Sequence, residues 1–458
     1  MLPGIGFPLA LFRFLDDPVG RVLALQRLGR DVVPLVGRNP AIVCVFGYER
    51  ARDVLSEPAR FRHDEHLFDG PPGSAFGTLS HCLVALNGQR HRRQRELLQP
   101  AFARAPMEGY AADIVQHTAR TLASWPVDGA EPLDVAARCR DLTLGIAMKC
   151  FYGLEPDEAK AGIGRIVDDF MHVVTAPSTI LFPVDLPGSP QRRKLRLAEA
   201  LAKELRSLLA RKRTIGGAPR DAVGLLMAAR DADGGGLSDD ELMGEALELV
   251  VAGHDTSAMA LAWTLFLLDR HPAVLRELKA ELDTTLEGRA PTLPDLLRLP
   301  VLDRVVKESL RVLSPAPMQF LRTCAEPDTA LGEHRLPQHA NVLVSPIAIH
   351  RDARVYPEPM RFRPSRWIDW SPPAYAYLPF GAGPRACVGM LFAAQSIRLM
   401  LAMILQKVQL RCVEGAQVAR LTRGNIMHAR HGLAMRAGSA DTPPLPVRGD
   451  VHELVDWG

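Results

Sequence analysis

The stretch FGAGPRACVGM, residues 380–390, places one cysteine, Cys387, in a glycine-rich loop. The residues that follow, LFAAQSIRLMLAMILQ, have the apolar pattern of a long helix, so the thiol precedes a helix N-terminus. Backbone N–H groups and the positive end of the helix dipole favour a thiolate there. Glycines let a flat ligand approach the backbone, and such a thiolate suits a haem iron. A lone cysteine is also commonly a small buried residue, and this stretch alone leaves both interpretations open.

Composition bounds the class of protein. The chain has 458 residues, of which 47% are hydrophobic, and this is enough for a large core. Its 55 Lys and Arg residues nearly balance its 52 Asp and Glu residues, and the net charge of +3 gives no general argument for binding nucleic acid. The 7 cysteines form no C-x-x-C pair, and their odd number excludes a complete disulfide framework. A reducing compartment is therefore expected.

The N-terminal segment contains an apolar run over residues 5–12 that ends at Arg13. This run is too short to span a bilayer, because a transmembrane helix needs about 20 apolar residues. The charged start and the small-residue cleavage site of a signal peptide are also missing. We therefore expect no transmembrane anchor and a cytoplasmic location.

A second informative stretch begins at a capping box, in which Ser238 is followed three residues later by Glu241. No proline interrupts the chain from there to Pro272, which predicts one helix of about 32 residues and about 48 Å. This helix would contain AGHDT, residues 252–256. An acid, a hydroxyl and a glycine inside an apolar helix favour a local groove beside a ligand, because Gly253 weakens the helix by about 1 kcal/mol relative to alanine. A satisfied polar kink explains the same residues.

Two further stretches place charged residues on single helix faces. Glu308 and Arg311 are three residues apart in VVKESLRVL and would share a face. His91 and Arg95 are four residues apart in QRHRRQREL and would do the same. For Glu308 and Arg311, the alternative explanation is a surface ion pair of little energetic value. For the helix of His91 and Arg95, the alternative is an ordinary solvated basic helix.

These stretches occur in an order that resembles the cytochrome P450 family over nearly the whole chain. Residues 380–389 match the family's haem-loop pattern Phe-x-x-Gly-x-Arg-x-Cys-x-Gly, and AGHDT resembles its oxygen-binding segment. The resemblance implies a mainly α fold with a small β portion, with a long central helix over a haem and a cysteine-ligand loop before a C-terminal helix. It implies a single catalytic domain over residues 1–437. We expect the Pro- and Gly-rich tail, residues 438–458, to be loosely ordered.

The resemblance also implies roles for individual residues. Cys387 would be the axial ligand of the iron of haem b. Thr256 would hydrogen-bond dioxygen, Asp255 would help to deliver protons, and Gly253 would open the groove beside them. The residues that would contact the haem propionates are His91, Arg95, Arg322 and Arg385. The other residues that would contact the haem are Phe380, Gly381, Gly389 and Ala252.

Other family-like features surround these residues. Glu308 and Arg311 would form a buried charge network with Arg366 of RFRPSRW, and a strand is expected over residues 315–324. The apolar segment 170–190 resembles the family's lid over the substrate channel, although a plain interhelical loop is an alternative. The residues that would line the substrate pocket, unless core packing explains them, are Leu249, Ala252, Pro315, Ala316, Met318, Phe320 and Ile426.

The resemblance implies a monooxygenase that activates dioxygen and hydroxylates or epoxidises a small apolar substrate such as a terpenoid, steroid or fatty acid. Electrons would come ultimately from NAD(P)H through a separate ferredoxin or flavodoxin with its reductase, because the chain shows no reductase-sized region and no clustered cysteines. A monomer is expected. Two other classes stay open: a peroxide-driven or isomerising haem-thiolate enzyme, against which Asp255 and Thr256 count, and a non-enzymatic haem-binding sensor.

Overall fold

The computed structural model describes residues 6–37, 39–64, 69–71, 73–126, 129, 131–155, 163–176, 178–179, 182–215, 219–439 and 441–457. The chain forms two compact units, each assembled from separate segments. The first unit comprises residues 1–62, 114–142 and 256–458, and the second comprises residues 63–113 and 143–255. The expectation of one catalytic domain over residues 1–437 stays a prediction.

Helices make up most of the regular structure, which confirms the mainly α expectation. In chain order they are α1 (Gly6–Asp16), α2 (Pro18–Gln26), α3 (Tyr48–Leu55), α4 (Ala75–Thr78), α5 (Gly88–Leu98), α6 (Arg104–Leu122), α7 (Val135–Tyr152), α8 (Arg165–Val174), α9 (Pro190–Ile215), α10 (Ala222–Ala228), α11 (Asp239–Ala252), α12 (Asp255–Arg270), α13 (Pro272–Leu286), α14 (Pro300–Val312), α15 (Pro346–Ile349) and α16 (Met390–Lys407).

The strands form the small β portion. They are β1 (Val32–Val36), β2 (Asn39–Val45), β3 (Phe61–His63), β4 (Leu133–Asp134), β5 (Arg322–Cys324), β6 (Thr329–Leu331), β7 (His334–Leu336), β8 (Asn341–Val344), β9 (Leu410–Cys412), β10 (Arg420–Arg423), β11 (Ile426–Ala429) and β12 (Ala434–Ala437). A five-stranded sheet has the order β1-β2-β8-β5-β3, and a three-stranded sheet has the order β4-β12-β9. The strand pairs β10-β11 and β6-β7 form two further sheets.

The five-stranded sheet supports the cysteine loop from within the first unit. Its strands β2 and β8 are parallel, and their buried residues Val45 and Val344 share a hydrophobic cluster with Leu378. Leu378 is 1% exposed and lies just before the loop, while the partly buried Ala382 of the loop packs against the same cluster. Alternating apolar side chains in two adjacent strands thus provide the floor for the loop.

The capping box at the start of α11 forms as predicted. The Ser238 hydroxyl accepts a hydrogen bond from the Glu241 N–H at 3.2 Å, and the Glu241 carboxylate accepts one from the Ser238 N–H at 2.9 Å. These two bonds satisfy backbone donors that a helix start leaves open.

The expectation of one helix of about 32 residues is wrong. Helix α11 ends at Ala252, Gly253 and His254 form a bend, and α12 begins at Asp255. A Cβ atom on Gly253 would lie 2.4 Å from Cε2 of Phe151, so the backbone approaches this ring too closely for any side chain. The His254 ring donates from Nδ1 to a carbonyl of the preceding turn at 2.9 Å. The polar kink is therefore the conformation that the structure adopts.

The expectation that the tail, residues 438–458, is loosely ordered stays a prediction, although residues near its end are packed. Val451, Leu454 and Val455 are at most 1% exposed. The ring of Trp457 lies edge-on against Phe266 of α12, with 5.5 Å between the ring centroids. The buried side chains are the apolar residues of the VHELVDW segment. The Pro- and Gly-rich composition of the residues before this segment gave no indication that it would pack.

The strand predicted over residues 315–324 is limited to β5. Pro315 and Pro317 have no N–H to donate to a ladder, which explains why the pairing begins late. The segment before β5 is held instead by single bonds, from the Gln319 N–H to the Val344 carbonyl at 3.0 Å and from the Ser345 hydroxyl to the Pro317 carbonyl at 2.9 Å.

Helix α16 has the length and composition of a membrane-crossing helix. A core helix of a globular unit passes the same test, and 56% of this helix is buried within the described part of the chain. It is the helix predicted to follow the cysteine loop.

Candidate functional site

Cys387 differs from the other cysteines in its exposure. It lies three residues before the start of α16 and is exposed, whereas the remaining six cysteines are buried. None of the seven is in a disulfide. Burial raises the pKa of Cys44 to about 12, so a core thiol of this kind stays protonated at neutral pH. The exposure of Cys387 removes the interpretation of this residue as a buried core cysteine.

The backbone of the cysteine loop folds back on itself in a way that requires glycine. Gly381 and Gly383 adopt φ angles of 68° and 72°, a region that side chains disfavour. A Cβ atom on Gly383 would lie 2.4 Å from the carbonyl oxygen of Leu55. The Cys387 N–H donates to the Phe380 carbonyl at 2.8 Å, which closes the loop. The loop therefore presents Cys387 from a constrained backbone.

Gly389 is the N-cap residue of α16, with a φ angle of −86°. The helix is 18 residues long, and its buried side chains fix it in the core of the first unit. Cys387 is therefore held close to the positive end of a long, anchored helix, which favours a thiolate.

Two arginines of the first unit, one of them in the loop, are close enough for their charges to interact. Arg322 of β5 is 5% exposed, and Arg385 is half-buried in the loop itself. Burial, and then the charge of Arg385, lower the pKa of Arg322 to about 9, so Arg322 remains cationic at neutral pH. Two neighbouring cations, one of them buried, form a donor set that fits an anionic group such as a carboxylate.

Glu308 is the centre of a buried charge network in the first unit. Its carboxylate accepts two bonds from Arg311, from Nε and Nη2, each at 2.9 Å. Arg366 Nε and Trp367 Nε1 also donate to it at 2.9 Å, as does the Arg363 N–H. Glu308 and Arg311 have no exposed side-chain surface. The three residues grouped from the sequence are thus brought together, and two further donors join them.

The electrostatics of Glu308 follow from these contacts. Burial raises the pKa of Glu308, but the hydrogen bond and charge of Arg311 and the charge of Arg366 outweigh it and leave the pKa below its usual value of 4.5. The carboxylate is therefore ionised at neutral pH, where it neutralises the two buried guanidinium groups.

His350 is a positioning residue that the sequence analysis missed. It is fully buried, and its Nδ1 donates to the Arg311 carbonyl at 3.2 Å. Its Nε2 accepts the Leu378 N–H at 2.8 Å, two residues before Phe380. Burial and the charge of Arg311 lower the pKa of His350 to about 3, so the ring is neutral and can accept this bond. No spacing rule signals a contact between residues so far apart in sequence.

The predicted haem contacts of the second unit lie on α5. His91 is buried and Arg95 is half-buried, and both lie on the helix predicted for them. The start of α5 is fixed by Asn87, whose side chain exchanges two hydrogen bonds with the backbone of His63 at 3.0 and 3.1 Å.

The AGHDT residues lie where α11 ends and α12 begins. Ala252 is exposed, Gly253 and Thr256 are half-buried, and Asp255 is 6% exposed. Leu249, one turn earlier on α11, is 7% exposed. The Gly253 N–H still donates to the Leu249 carbonyl at 3.0 Å, and the bend at Gly253 and His254 separates the two helices.

The predicted substrate-wall residues of the first unit separate into two groups. The Met427 N–H donates to the Pro315 carbonyl, and Trp263 Nε1 donates to the Met427 carbonyl, each at 2.9 Å. These bonds fix Ile426 next to the segment of Pro315. Met318 is 4% exposed in a hydrophobic cluster with core residues of β1 and β8, where core packing accounts for it.

The remaining wall residues and the predicted lid are more open. Ala316 is half-buried and Phe320 is 37% exposed. Within segment 170–190, Phe170 is buried in α8 and Phe182 is 68% exposed. Ile180 and Leu181 lie outside the described residues. The lid role of this segment stays a prediction.

Replacing Glu308 tests the energetic role of the network. We expect Glu308→Gln to lower the free energy of unfolding by about 3–5 kcal/mol at neutral pH, because it leaves two buried cations without a counter-charge. Because the folded-state pKa of Glu308 is depressed, its contribution is present above pH 4.5 and is lost as the pH falls through the folded-state pKa. Urea denaturation at several pH values measures both effects.

The matched control is Glu358→Gln. Glu358 pairs with Arg361 and Arg363 at 2.8 Å, but its side chain is 46% exposed. A surface pair of this kind contributes about 0–1 kcal/mol. An equal loss of stability in the two variants would contradict the role assigned to Glu308.

Comparison with known proteins agrees with the geometry of the site. The family model described as Cytochrome P450 matches residues 16–434. A Streptomyces melanosporofaciens protein named cyclooctat-9-en-7-ol 5-monooxygenase is 32% identical over 90% of this chain and 89% of its own length. The pentalenene oxygenase of Streptomyces avermitilis is 32% identical over 79% of this chain and 80% of its own length.

Solved structures show the same fold. The crystal structure of the cytochrome P450DA haem domain has a TM-score of 0.82 at 24% identity, covering 94% of this chain and 95% of that one. A match over residues 16–434, together with relatives at 32% identity over most of the chain, establishes the assignment. The chain belongs to the cytochrome P450 family of haem-dependent monooxygenases.

Proposed function

We propose that this cytochrome P450 monooxygenase oxygenates a small apolar substrate, with a terpenoid as the leading class, and that Cys387 is the axial ligand of its haem. The observation that carries the proposal is the exposed Cys387 in a glycine-constrained loop at the start of α16. The family uses haem iron and dioxygen.

The residues of each unit suit particular parts of haem b. The Cys387 thiolate would hold the iron, and the paired guanidinium groups of Arg322 and Arg385 would bind propionates, since arginine forms strong bonds to carboxylates. His91 and Arg95 of the second unit are proposed as further propionate partners. The residues proposed to lie against the macrocycle are Phe380, Gly381, Gly389 and Ala252. When bound, the haem supplies the chemistry that activates dioxygen.

Proton delivery is proposed for the residues after the bend. The Thr256 hydroxyl would donate a hydrogen bond to dioxygen, and the Asp255 carboxyl would return a proton to that hydroxyl from water. The bend at Gly253 and His254 supports this role because it interrupts the helical ladder. The acid and alcohol pair counts against a peroxide-driven or isomerising enzyme, which would not need this proton path.

The substrate class is proposed from the wall residues and the relatives. The side chains proposed for the wall are apolar, which suits a hydrocarbon-like ligand. Two relatives are named for cyclooctat-9-en-7-ol and pentalenene, and these names favour a terpenoid over a steroid or fatty acid. The core packing of Met318 makes Leu249, Pro315, Ala316, Phe320 and Ile426 the better candidates.

The remaining parts of the proposal concern electrons and location. A separate ferredoxin or flavodoxin with its reductase would deliver electrons from NAD(P)H one at a time. We propose a cytoplasmic monomer, in keeping with the bacterial relatives.

Substrate binding and turnover test the proposed function. We expect cyclic terpenes to shift the ferric Soret band of the purified holoprotein from low to high spin, because substrate displaces water from the iron. With ferredoxin, reductase and NADPH under isotopically labelled dioxygen, the product should carry one labelled oxygen atom. A steroid and a fatty acid serve as comparison ligands. Turnover with peroxide but not with NADPH would assign the peroxide-driven alternative, and a shift only with the comparison ligands would overturn the terpenoid class.

Thr256 provides a separate test of proton delivery. We expect Thr256→Ala to lower the product formed per NADPH by about a hundredfold or more, with the lost electrons appearing as hydrogen peroxide, because a positioned proton donor is typically worth a factor of that order or more. The control Thr256→Ser keeps the hydroxyl and should restore coupling. Coupled turnover at the wild-type level in Thr256→Ala would show that the hydroxyl does not deliver protons.

A further inference from the structure

A polar cavity of about 200 Å³ opens on the first unit between the start of α7 and the hairpin formed by β10 and β11. Its wall includes Arg140 from α7, Arg423 and His428 from the hairpin, and Arg430 from the residues that follow. Asp134 contributes a carboxylate to the wall. None of these residues belongs to the haem or substrate contacts proposed above.

The hairpin register places Arg423 and His428 on one face. Arg423 pairs with Ile426, and Leu421 pairs with His428, in the antiparallel ladder. Alternate residues of a strand point to the same side, so Arg423 and His428 share the face that lines the cavity. The bonds of Met427 to the Pro315 carbonyl and to Trp263 Nε1 hold the hairpin in place.

The opposite wall is built by α7. The Asp134 Oδ1 atom accepts the N–H groups of Ala136, Ala137 and Leu433 at 3.0, 3.2 and 2.9 Å. A Cβ atom on Gly432 would lie 2.3 Å from Asp134 Oδ2. The carboxylate therefore acts as the cap of α7 and is packed against backbone, while Arg140 follows on the next turn.

Arg430 is also positioned by backbone contacts. Its N–H donates to the Ala419 carbonyl at 2.7 Å, and its Nε donates to the Arg420 carbonyl at 3.3 Å. Arginines from three segments thus line one cavity, and the capping carboxylate of Asp134 also lines it.

We propose that this cavity binds a phosphate group. Arginine presents a planar set of N–H donors that matches the oxygens of phosphate, and several such groups around a doubly charged anion form strong charge-assisted bonds. A volume of about 200 Å³ is below the range of about 300–1,000 Å³ usual for drug-sized ligands, which suits a small anion or the phosphate end of a larger molecule.

Titration of the holoprotein with inorganic phosphate at constant ionic strength, followed by calorimetry, tests this site. We expect saturable binding to the wild type, and an affinity at least about tenfold weaker in Arg423→Gln and in Arg140→Gln, because each loses a charge-assisted contact. Arg436→Gln is the matched control, because Arg436 is an exposed arginine on β12 outside the cavity, and it should bind as the wild type does.

A second arm replaces inorganic phosphate with glycerol 3-phosphate. Comparable binding would identify the ligand as a phosphate ester, whereas binding of inorganic phosphate alone would identify the free ion, and either result supports the proposal. Absence of saturable binding, or equal affinity in the cavity variants and Arg436→Gln, would overturn it. The haem absorption spectrum of each variant verifies that the protein is folded.

Discussion

The buried carboxylate of Glu308 holds together the part of the fold that carries the cysteine loop. A buried ion pair is often no more stabilising than an apolar pair of the same size, but removing one partner is costly because the other charge remains buried. Here the carboxylate joins α14 to the segment of Arg366 and Trp367. Arg311 then bonds to the His350 carbonyl, and the His350 ring bonds to Leu378 at the entrance to the loop. Through these bonds, the Glu308 carboxylate constrains the position of the chain that precedes Cys387.

The features that were predicted correctly from the sequence depend on interactions between residues that are close together along the chain. The capping box at Ser238 and the helix after Gly389 follow from contacts within a few residues along the chain, and the positive φ angles of Gly381 and Gly383 are local backbone conformations. The break at Gly253 and His254 was left open as a polar kink beside the prediction of one long helix. The contact that requires glycine at position 253 involves Phe151, a residue about a hundred positions away. The packing of Val451, Leu454 and Trp457 near the end of the tail was not predicted, because apolar residues become informative only when partners such as Phe266 are known.

The candidate site shows the same division. The family pattern identified Cys387 and grouped Glu308 with Arg311 and Arg366, because these residue types at these spacings are specific. The role of His350 was not predicted, because its partners are distant in sequence and a single histidine forms no recognisable pattern. Apolar residues such as Met318 and Ile426 serve core packing and ligand contact equally well, so sequence alone cannot assign a substrate from them. The similarity to enzymes named for cyclooctat-9-en-7-ol and pentalenene supplies the class that the residues themselves leave open.

The central claim is that the Cys387 thiolate holds the haem iron, and the absorption spectrum of the reduced, carbon monoxide-bound protein measures this most directly. The account predicts the red-shifted Soret band of a thiolate ligand in the wild type and in Cys44→Ala, which alters a buried cysteine of β2. It predicts loss of that band in Cys387→Ser at an unchanged level of folding, measured by circular dichroism. A thiolate band that persists in Cys387→Ser would contradict the assignment.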